Sequence, residues 1–536
     1  MDSGVLELAA LGRPFTLGTL YNHYNDTIVT DDLTKHIQIR PHKHTDLDLV
    51  LSDSLEEKTS ALSLNLSIKA SILFGLIKYE GAAAYLDDNK TSKSRARVTI
   101  NYKATTHVKE LSMYHLRNLR YPTVIDKVSA THVVTGILYG AQVFFVFDRD
   151  VSEGENHQEV HGNMTMVVNK MSQMAGEMKG DVIIDPKVQD AEKYKCTFHG
   201  DVCPDKKPTN FQEAIEIYKS LPELLKDGEK AVPIKVFMLP LTSFGTTASK
   251  LVRQISVGLV LEVQRVLEDF IELDVRCNDV LGTTIVKQFP DISSKIKKFK
   301  SLLSCLKSEL KEDLEKKLSI RAKEAQLAEI LKKKRSSFRN SDLKWWLDCK
   351  EKEVNTIKSI TEKMKNPNII PSLNGDHETG ADEVYYFVFT SLGRDEPLLS
   401  ALSAYLKGTK EDNQNQDLHD VEREQWYASK EKLRDIRKKA KAFSDFTEDN
   451  KDNQKMKFLV VGLTDDKYEG STIYLYKNDT IALGRFFKAF DILFCNVPLC
   501  IRDSDLRLQL KPLLLACLSS QSMTDGRTHR SACTRE

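Results

Sequence analysis

Residues 60–86 read SALSLNLSIKASILFGLIKYEGAAAYL. Every even position from 62 to 76 is apolar: Leu62, Leu64, Leu66, Ile68, Ala70, Ile72, Phe74 and Leu76. The first odd positions are polar: Ser63, Asn65, Ser67 and Lys69. A period of two puts successive side chains on opposite faces, so this half reads as a strand with one wet face. From Ser71 the cluster Ile72, Leu73, Leu76 and Ile77 takes helical spacing. The reading is a strand to about Lys69, flowing into a helical cluster from Ser71 to about Leu86. The even-numbered apolar set persists through the helical part, as a segment converting from helix to β-hairpin would require. On that reading, if Ile72 and Phe74 face outward only after unwinding, Ile72→Asp with Phe74→Asp spares the soluble fold more than any insertion; failure of the double variant to fold makes the two residues plain core.

Working outward, RARVTINYKATTHVKEL (95–111) alternates cleanly, with Ala96, Val98, Ile100, Tyr102, Ala104 and Val108 on one side. It supplies a descending partner for the first segment. THVVTGILYGAQVFFVFD (131–148) is apolar on both faces, as a covered strand is. AVPIKVFMLPL (231–241) is a further strand. Between them Val160, Met164, Val167, Met171, Met174 and Met178 recur every three or four residues over 153–180, an amphipathic helix. As a strand that segment would show Val160, Met164, Met166 and Val168 on one face, with a gap at Gly162.

Three apolar stripes follow: Ile255 to Val280, Ile292 to Leu318 and Leu343 to Met364. Joined by short turns such as GTT and QFPD, they predict a helical bundle. The Asn366-Pro367 pair and NGDHETG mark a boundary. Beyond it, VYYFVFTSL (384–392), MKFLVVGLT (456–464) and STIYLYKND (471–479) read as strands. Helical segments at 396–407 and 423–443 lie between them, which suits a three-layer α/β domain. The tail from Asp491 is mixed and ends polar.

The chain's 536 residues allow three or four domains, and 41% apolar residues are ample for real cores. A net charge of +1 gives no reason to expect nucleic acid as partner. Nine scattered cysteines do not make a disulfide framework and read as reduced thiols. The start carries no basic, then apolar, leader pattern. The expected location is therefore the cytoplasm, or outside the cell by a non-classical route. No apolar run reaches the length of about 18 residues needed by a spanning helix.

Motifs for chemistry are weak. HQEVH (157–161) spaces two histidines by four, but lacks the Glu directly after the first that a zinc protease needs, and reads as a solvated helix start. HKH (42–44) reads as surface. CNVPLC (495–500) is not a C-x-x-C pair, so the α/β domain reads as redox-silent. SFGTTASK lacks phosphate-loop spacing. KKKR (332–335) reads as a charged helix end, and five N-x-[ST] sequons carry no meaning without a secretory leader. No catalytic, metal or cofactor site is expected, and no enzyme.

ALGRPFTLGTLYN (10–22), SRARVTINYKATTHVK (94–109), ATHVVTGILYGAQVFFVFDRD (130–150), KCTFHGDV (195–202), LPELLKDGEKAVPIKVFMLPL (221–241) and YYFVFTSLGRDEPLLSAL (385–402) resemble the stonustoxin family of fish cytolysins. The resemblance covers roughly 10–480. It implies an α+β multidomain chain. A MACPF/CDC-like domain at 1–246 has a four-stranded twisted antiparallel sheet with flanking helical clusters. A helical, focal-adhesion-targeting-like domain at 247–370 and a thioredoxin-like domain without redox cysteines at 380–490 follow, then an irregular tail at 491–536. After about residue 490 too few residues remain for the PRYSPRY domain of venom members. The perforin signature Y-G-[TS]-H is not literal here; its nearest counterpart is the strand around Gly136 and Gly140.

The implied function is pore formation: a soluble protein oligomerises on membranes and its clusters unwind into hairpins. The membrane-inserting candidates are Leu62, Leu64, Leu66, Ile68, Ile72, Phe74, Leu76, Val98, Ile100, Tyr102, Val160, Met164, Met166 and Val168. Hinge candidates are Gly75, Gly81, Gly136, Gly140, Gly162 and Gly180. Expected partners are a homologous subunit in a heterodimer, a higher oligomer and membrane lipid, with no nucleic acid. The alternative is a non-lytic intracellular or immune-related interaction protein that keeps the fold.

Overall fold

The computed structural model describes residues 4–29, 37–112, 130–173, 191–244, 255–319, 324–337, 339–365, 367–372, 381–408, 425–477 and 480–481. The chain forms two compact units. Unit one holds Met1–Leu281, Lys297–Leu347 and Ala401–Asn413; unit two holds Gly282–Ile296, Asp348–Ser400 and Gln414–Glu536.

Unit one is organised by four strands, β4 (Ile37–Val50), β5 (Arg95–Leu111), β6 (His132–Asp150) and β7 (Lys195–Gly200), each antiparallel to the next. The upper part of β6 pairs instead with β8 (Val232–Pro240), beyond which lies β1 (Leu6–Ala9). Short strands β2 (Leu20–Asn22) and β3 (Thr27–Val29) complete the hydrogen-bonded network. β6 hands over from β8 to β7 between Gly140 and Val143. A Cβ on Gly140 would stand 2.1 Å from the Ala104 carbonyl oxygen, where β5 changes register. Only glycine fits that approach.

β4 is the outer edge, paired to β5 alone among the described residues and exposed over most of its length. Pro41 at its register shift, with Arg40, Lys43, Asp46 and Asp48, are features of a strand that discourages casual pairing.

Helical connections cover both faces. Residues 51–94, joining β4 to β5, contain α1 (Leu55–Ala61), α2 (Leu66–Leu73) and a 3₁₀ turn at Gly81–Asp87. Residues 151–194, joining β6 to β7, are equally long and contain α3 (His157–Gln173). A further helix, α4 (Phe211–Leu224), packs on the same face as α3.

The strand expected at 62–69 is not there. Ser63 turns the chain with a left-handed φ of +53°, and the Asn65 side chain accepts the Ile68 N–H at 3.0 Å, so Leu66 opens a helix. A local cap outweighs alternation when the alternating residues have different destinations. Leu66 is exposed while Ile68 is fully buried. The helix then ends at Leu73 rather than running to Leu86. The alternation at 95–111 does make a strand, but its expected wet face is also buried: Arg97, Thr99 and Asn101 are covered.

Unit one also takes helical residues from α5 (Val257–Gly282), α7 (Pro290–Ser319), α8 (Glu324–Ser337) and α9 (Asn340–Thr361). The GTT turn holds a short helix, α6 (Thr284–Gln288), capped by Thr283. In unit two, β9 (Glu383–Phe389) is central, parallel to β10 (Met456–Gly462) and antiparallel to β11 (Ser471–Lys477), with β12 (Thr480–Ile481) outside. Helices α10 (Pro397–Leu406) and α11 (Lys430–Asp449) complete the description; α11 starts seven residues later than its sequence suggests. Lys350, Glu353 and Glu396 form a buried ion group, with the Trp426 indole donating to Glu353 at 2.8 Å.

Candidate functional site: the two helical clusters on the sheet

From Ile68 to Leu73 every residue of α2 is buried. Leu62, Ile68, Ile72 and Ile77 join the core formed with Val134, Ile137, Phe144 and Val146 of the sheet. Leu55, Ala70, Leu73 and Phe74 belong to a different core, with Leu259, Val260, Val263 and Leu267 of α5 and Leu310, Leu314, Leu327 and Leu331 of α7 and α8. Ile72 is 7% exposed and Phe74 0%. The Asp double substitution would therefore put two charges into two cores, which corrects the expectation that the fold tolerates it.

Both ends of this cluster are pinned to α5. The Leu55 N–H donates to Glu268 Oε1 at 3.2 Å. At the far end Asn278 Nδ2 donates to the Thr91 carbonyl at 3.1 Å, and the Lys93 N–H donates to Asp279 Oδ2 at 3.0 Å.

Beneath α1 lies a buried ion network that sequence reasoning missed. Arg97 on β5 grips Asp148 on β6 through two 2.7 Å hydrogen bonds. Its remaining donors reach Asp53 at 3.1 Å and the Asp88 carboxylate at 3.0 Å. Lys58, fully buried, donates to the Asp88 carbonyl at 2.6 Å and pairs with Asp53 at 3.0 Å. His199 on β7 lies 2.6 Å from Asp88. Burial by itself would raise the Asp88 carboxyl, but His199, Arg97 and Lys58 outweigh it and hold it below the ordinary carboxylate range. Burial lowers the Lys58 ammonium against the pull of Asp53. The network thus ties both ends of the 51–94 connection to three strands.

Asp201 adds a second tie. Its carboxylate accepts the Ala82 N–H at 3.0 Å and the Gln142 N–H at 2.9 Å, and burial pushes its carboxyl up. Gly81 adopts φ +66°, and a Cβ there would come within 2.5 Å of Asp201 Oδ1. A cavity of about 180 Å³ opens alongside, lined in part by Leu62, Ser63, Asn65, Lys103 and Asp201.

Among the described residues, the second cluster packs on the sheet by one face of α3. Val160, Met164, Val168 and Met171 share a core with Val98, Ile100 and Tyr102 of β5. Gly162 faces open space, and Met166 is 60% exposed. Val98, Ile100 and Tyr102 thus meet the second cluster rather than the first. His157 and His161 stack with ring centroids 6.4 Å apart. Met174, Met178, Gly180 and CNVPLC lie outside the described residues. No described group of three His, Cys, Asp or Glu could hold a metal ion. No described helix is long and apolar enough to cross a membrane.

Family profiles match along the chain. A "SNTX, MACPF/CDC-like domain" profile matches residues 5–242, a "Stonustoxin helical domain" 265–355, and a "Thioredoxin-like SNTX domain" 376–488. Neoverrucotoxin subunit alpha of Synanceia verrucosa is 33% identical over 90% of this chain and 72% of its own. Cytolytic toxin-alpha of Scorpaena plumieri is 34% identical over 90% and 71%. A solved stonustoxin structure superposes with a TM-score of 0.71 at 28% identity, over 89% of this chain and 69% of that one. The resemblance and the expected fold class are borne out, and the chain belongs to the stonustoxin family, built on a MACPF/CDC-like domain followed by helical and thioredoxin-like domains.

Proposed function

We propose that this protein is a membrane-pore former whose two helical connections are stored β-hairpins. The observation that carries the reading is topological. β4, β5, β6 and β7 are neighbours, and the two clusters are the β4–β5 and β6–β7 connections, of equal length and leaving the same end of the sheet. Unwound, each would continue its two strands downward as a hairpin. A membrane-spanning strand needs about 9–11 residues, so each connection holds two such strands with residues to spare. Closed barrels satisfy every backbone hydrogen bond in lipid, and an array of such hairpins meets that requirement.

In this reading Leu62 to Leu76 and Val160 to Val168 supply the lipid-facing side chains. The outer edge of β4, unpaired among the described residues, receives a neighbouring subunit. The names of the relatives, cytolytic toxins with alpha and beta subunits, support a homologous second chain as partner. The reading involves no catalysis.

Helices α5, α7 and α8 act as a clamp on the first hairpin. They cover Ala70, Leu73 and Phe74, which must reach lipid or lumen in the pore. Dye release from liposomes, measured for the chain alone and mixed with a homologous subunit, tests the function. Release with membrane-bound rings in electron micrographs is expected; no release and no rings in either preparation contradicts it.

A further inference from the structure

We infer that one face of α11, in the thioredoxin-like domain, is a docking surface for the anionic headgroups of a lipid bilayer. Lys430, Arg434, Arg437 and Lys441 are all exposed and follow one another at spacings of four, three and four. That spacing places them on one stripe of the helix. At 1.5 Å per residue the row spans about 16 Å.

Among the described residues the fold does not use these charges. Their neighbours on the same helix are employed: Lys432 pairs with Glu469 at 2.5 Å, and Lys439 with Asp435 at 2.6 Å and the Ser471 carbonyl at 3.1 Å. Among the described residues no carboxylate pairs with the four of the stripe. Like charges three and four apart weaken a helix, so the row costs α11 stability. The helix is anchored to bear it. Ser429 caps it, accepting the Lys432 N–H, and Ile436, Ala440 and Phe443 are buried beneath it, with Phe443 packed on Phe387 and Phe458. The row is also a local excess, because the whole chain carries only +1.

Charge complementarity selects the partner. Protein interfaces centre on aromatic and arginine anchors seated in well-packed, desolvated pockets. None of the large, exposed apolar side chains among the described residues falls between 425 and 477. A straight, one-signed row without an apolar anchor matches a flat plane of negative charge, which binds each nearby cation additively. This goes beyond the hairpin reading, since it concerns attachment and not insertion.

The test is sedimentation of the full chain with phosphatidylcholine vesicles, with and without phosphatidylserine. The wild type is compared with the quadruple variant Lys430→Gln, Arg434→Gln, Arg437→Gln, Lys441→Gln. A control quadruple variant, Lys207→Gln, Lys230→Gln, Lys298→Gln, Lys317→Gln, removes the same charge from exposed positions elsewhere. The expected result is binding that requires phosphatidylserine and weakens with salt. The stripe variant should lose affinity by on the order of a thousandfold at low salt and less as salt rises, while the control stays close to wild type. Equal binding by wild type and stripe variant, or binding indifferent to phosphatidylserine, overturns the inference. So does stripe-dependent self-association in sedimentation velocity without vesicle binding, which would assign the row to an acidic protein surface. Dye release recorded with the chain alone and mixed with a homologous subunit separates the two readings: vesicle binding without release in either preparation contradicts the pore and leaves the docking surface standing.

Discussion

The two helical connections are equal in length and equivalent in topology, yet they are stored differently. The 151–194 connection lays α3 on the sheet by one face and leaves Met166 in solvent. The 51–94 connection is buried from both sides, by the sheet and by α5, α7 and α8, and is held beneath by Lys58, Arg97 and three aspartates. On the stored-hairpin proposal, the described part of the second cluster has only the sheet to leave, whereas the first needs its cover removed. The proposal therefore sets an order of release, with the second cluster before the first.

The comparison can be broken most violently with charge. Ile72→Asp with Phe74→Asp should prevent folding, since each charge costs well over about 3 kcal/mol when buried without a partner. Loss of a cooperative thermal transition is the readout; a folded double mutant would mean that the first cluster is not core. Phe74→Ala should cost about 3–5 kcal/mol, measured by urea unfolding, because the cavity opens between rigid helices. Asp88→Asn should cost about 3 kcal/mol, by leaving Lys58 and Arg97 under-neutralised.

Acid offers a gentler probe of the same network. The Asp88 carboxyl is depressed in the fold, so its contribution is complete above the ordinary aspartate value of about 3.9 and is lost as pH falls through the depressed one. Thermal melts should show wild type losing stability faster than Asp88→Asn on acidification below that range. At the small end, Met166→Asp should change stability by no more than about 0.5 kcal/mol, since its side chain already stands in water. A large effect there would make the two clusters alike.

Legibility followed the reach of the interactions. β5, β6, β9 and β10 were readable because burial imposes a period of two, or a continuous apolar run, over many residues. β4 was not, because an edge strand of Gln38, Arg40, His42, Lys43 and His44 has almost nothing to bury. The 62–69 segment does not form a strand because alternation is necessary for one but also arises when a turn at Ser63 and a cap at Asn65 leave Leu66 in solvent and send Leu62, Leu64 and Ile68 to one core. The bundle's apolar stripes were plain, though α8 was passed over. The clamp and the ion network were invisible for a different reason. Asp53, Lys58, Asp88, Arg97, Asp148 and His199 lie far apart in the chain, and no local pattern distinguishes a lysine fated for burial.

Hydrogen exchange of the full chain, followed over time after addition of vesicles that it permeabilises, tests the stored-hairpin account most directly. The account predicts that amides of 157–173 lose helical protection first, that those of 55–73 follow together with the facing residues of α5, and that both regain protection as strands. Dye release while 55–73 stays protected as in solution, or opening of 55–73 before 157–173, would contradict it.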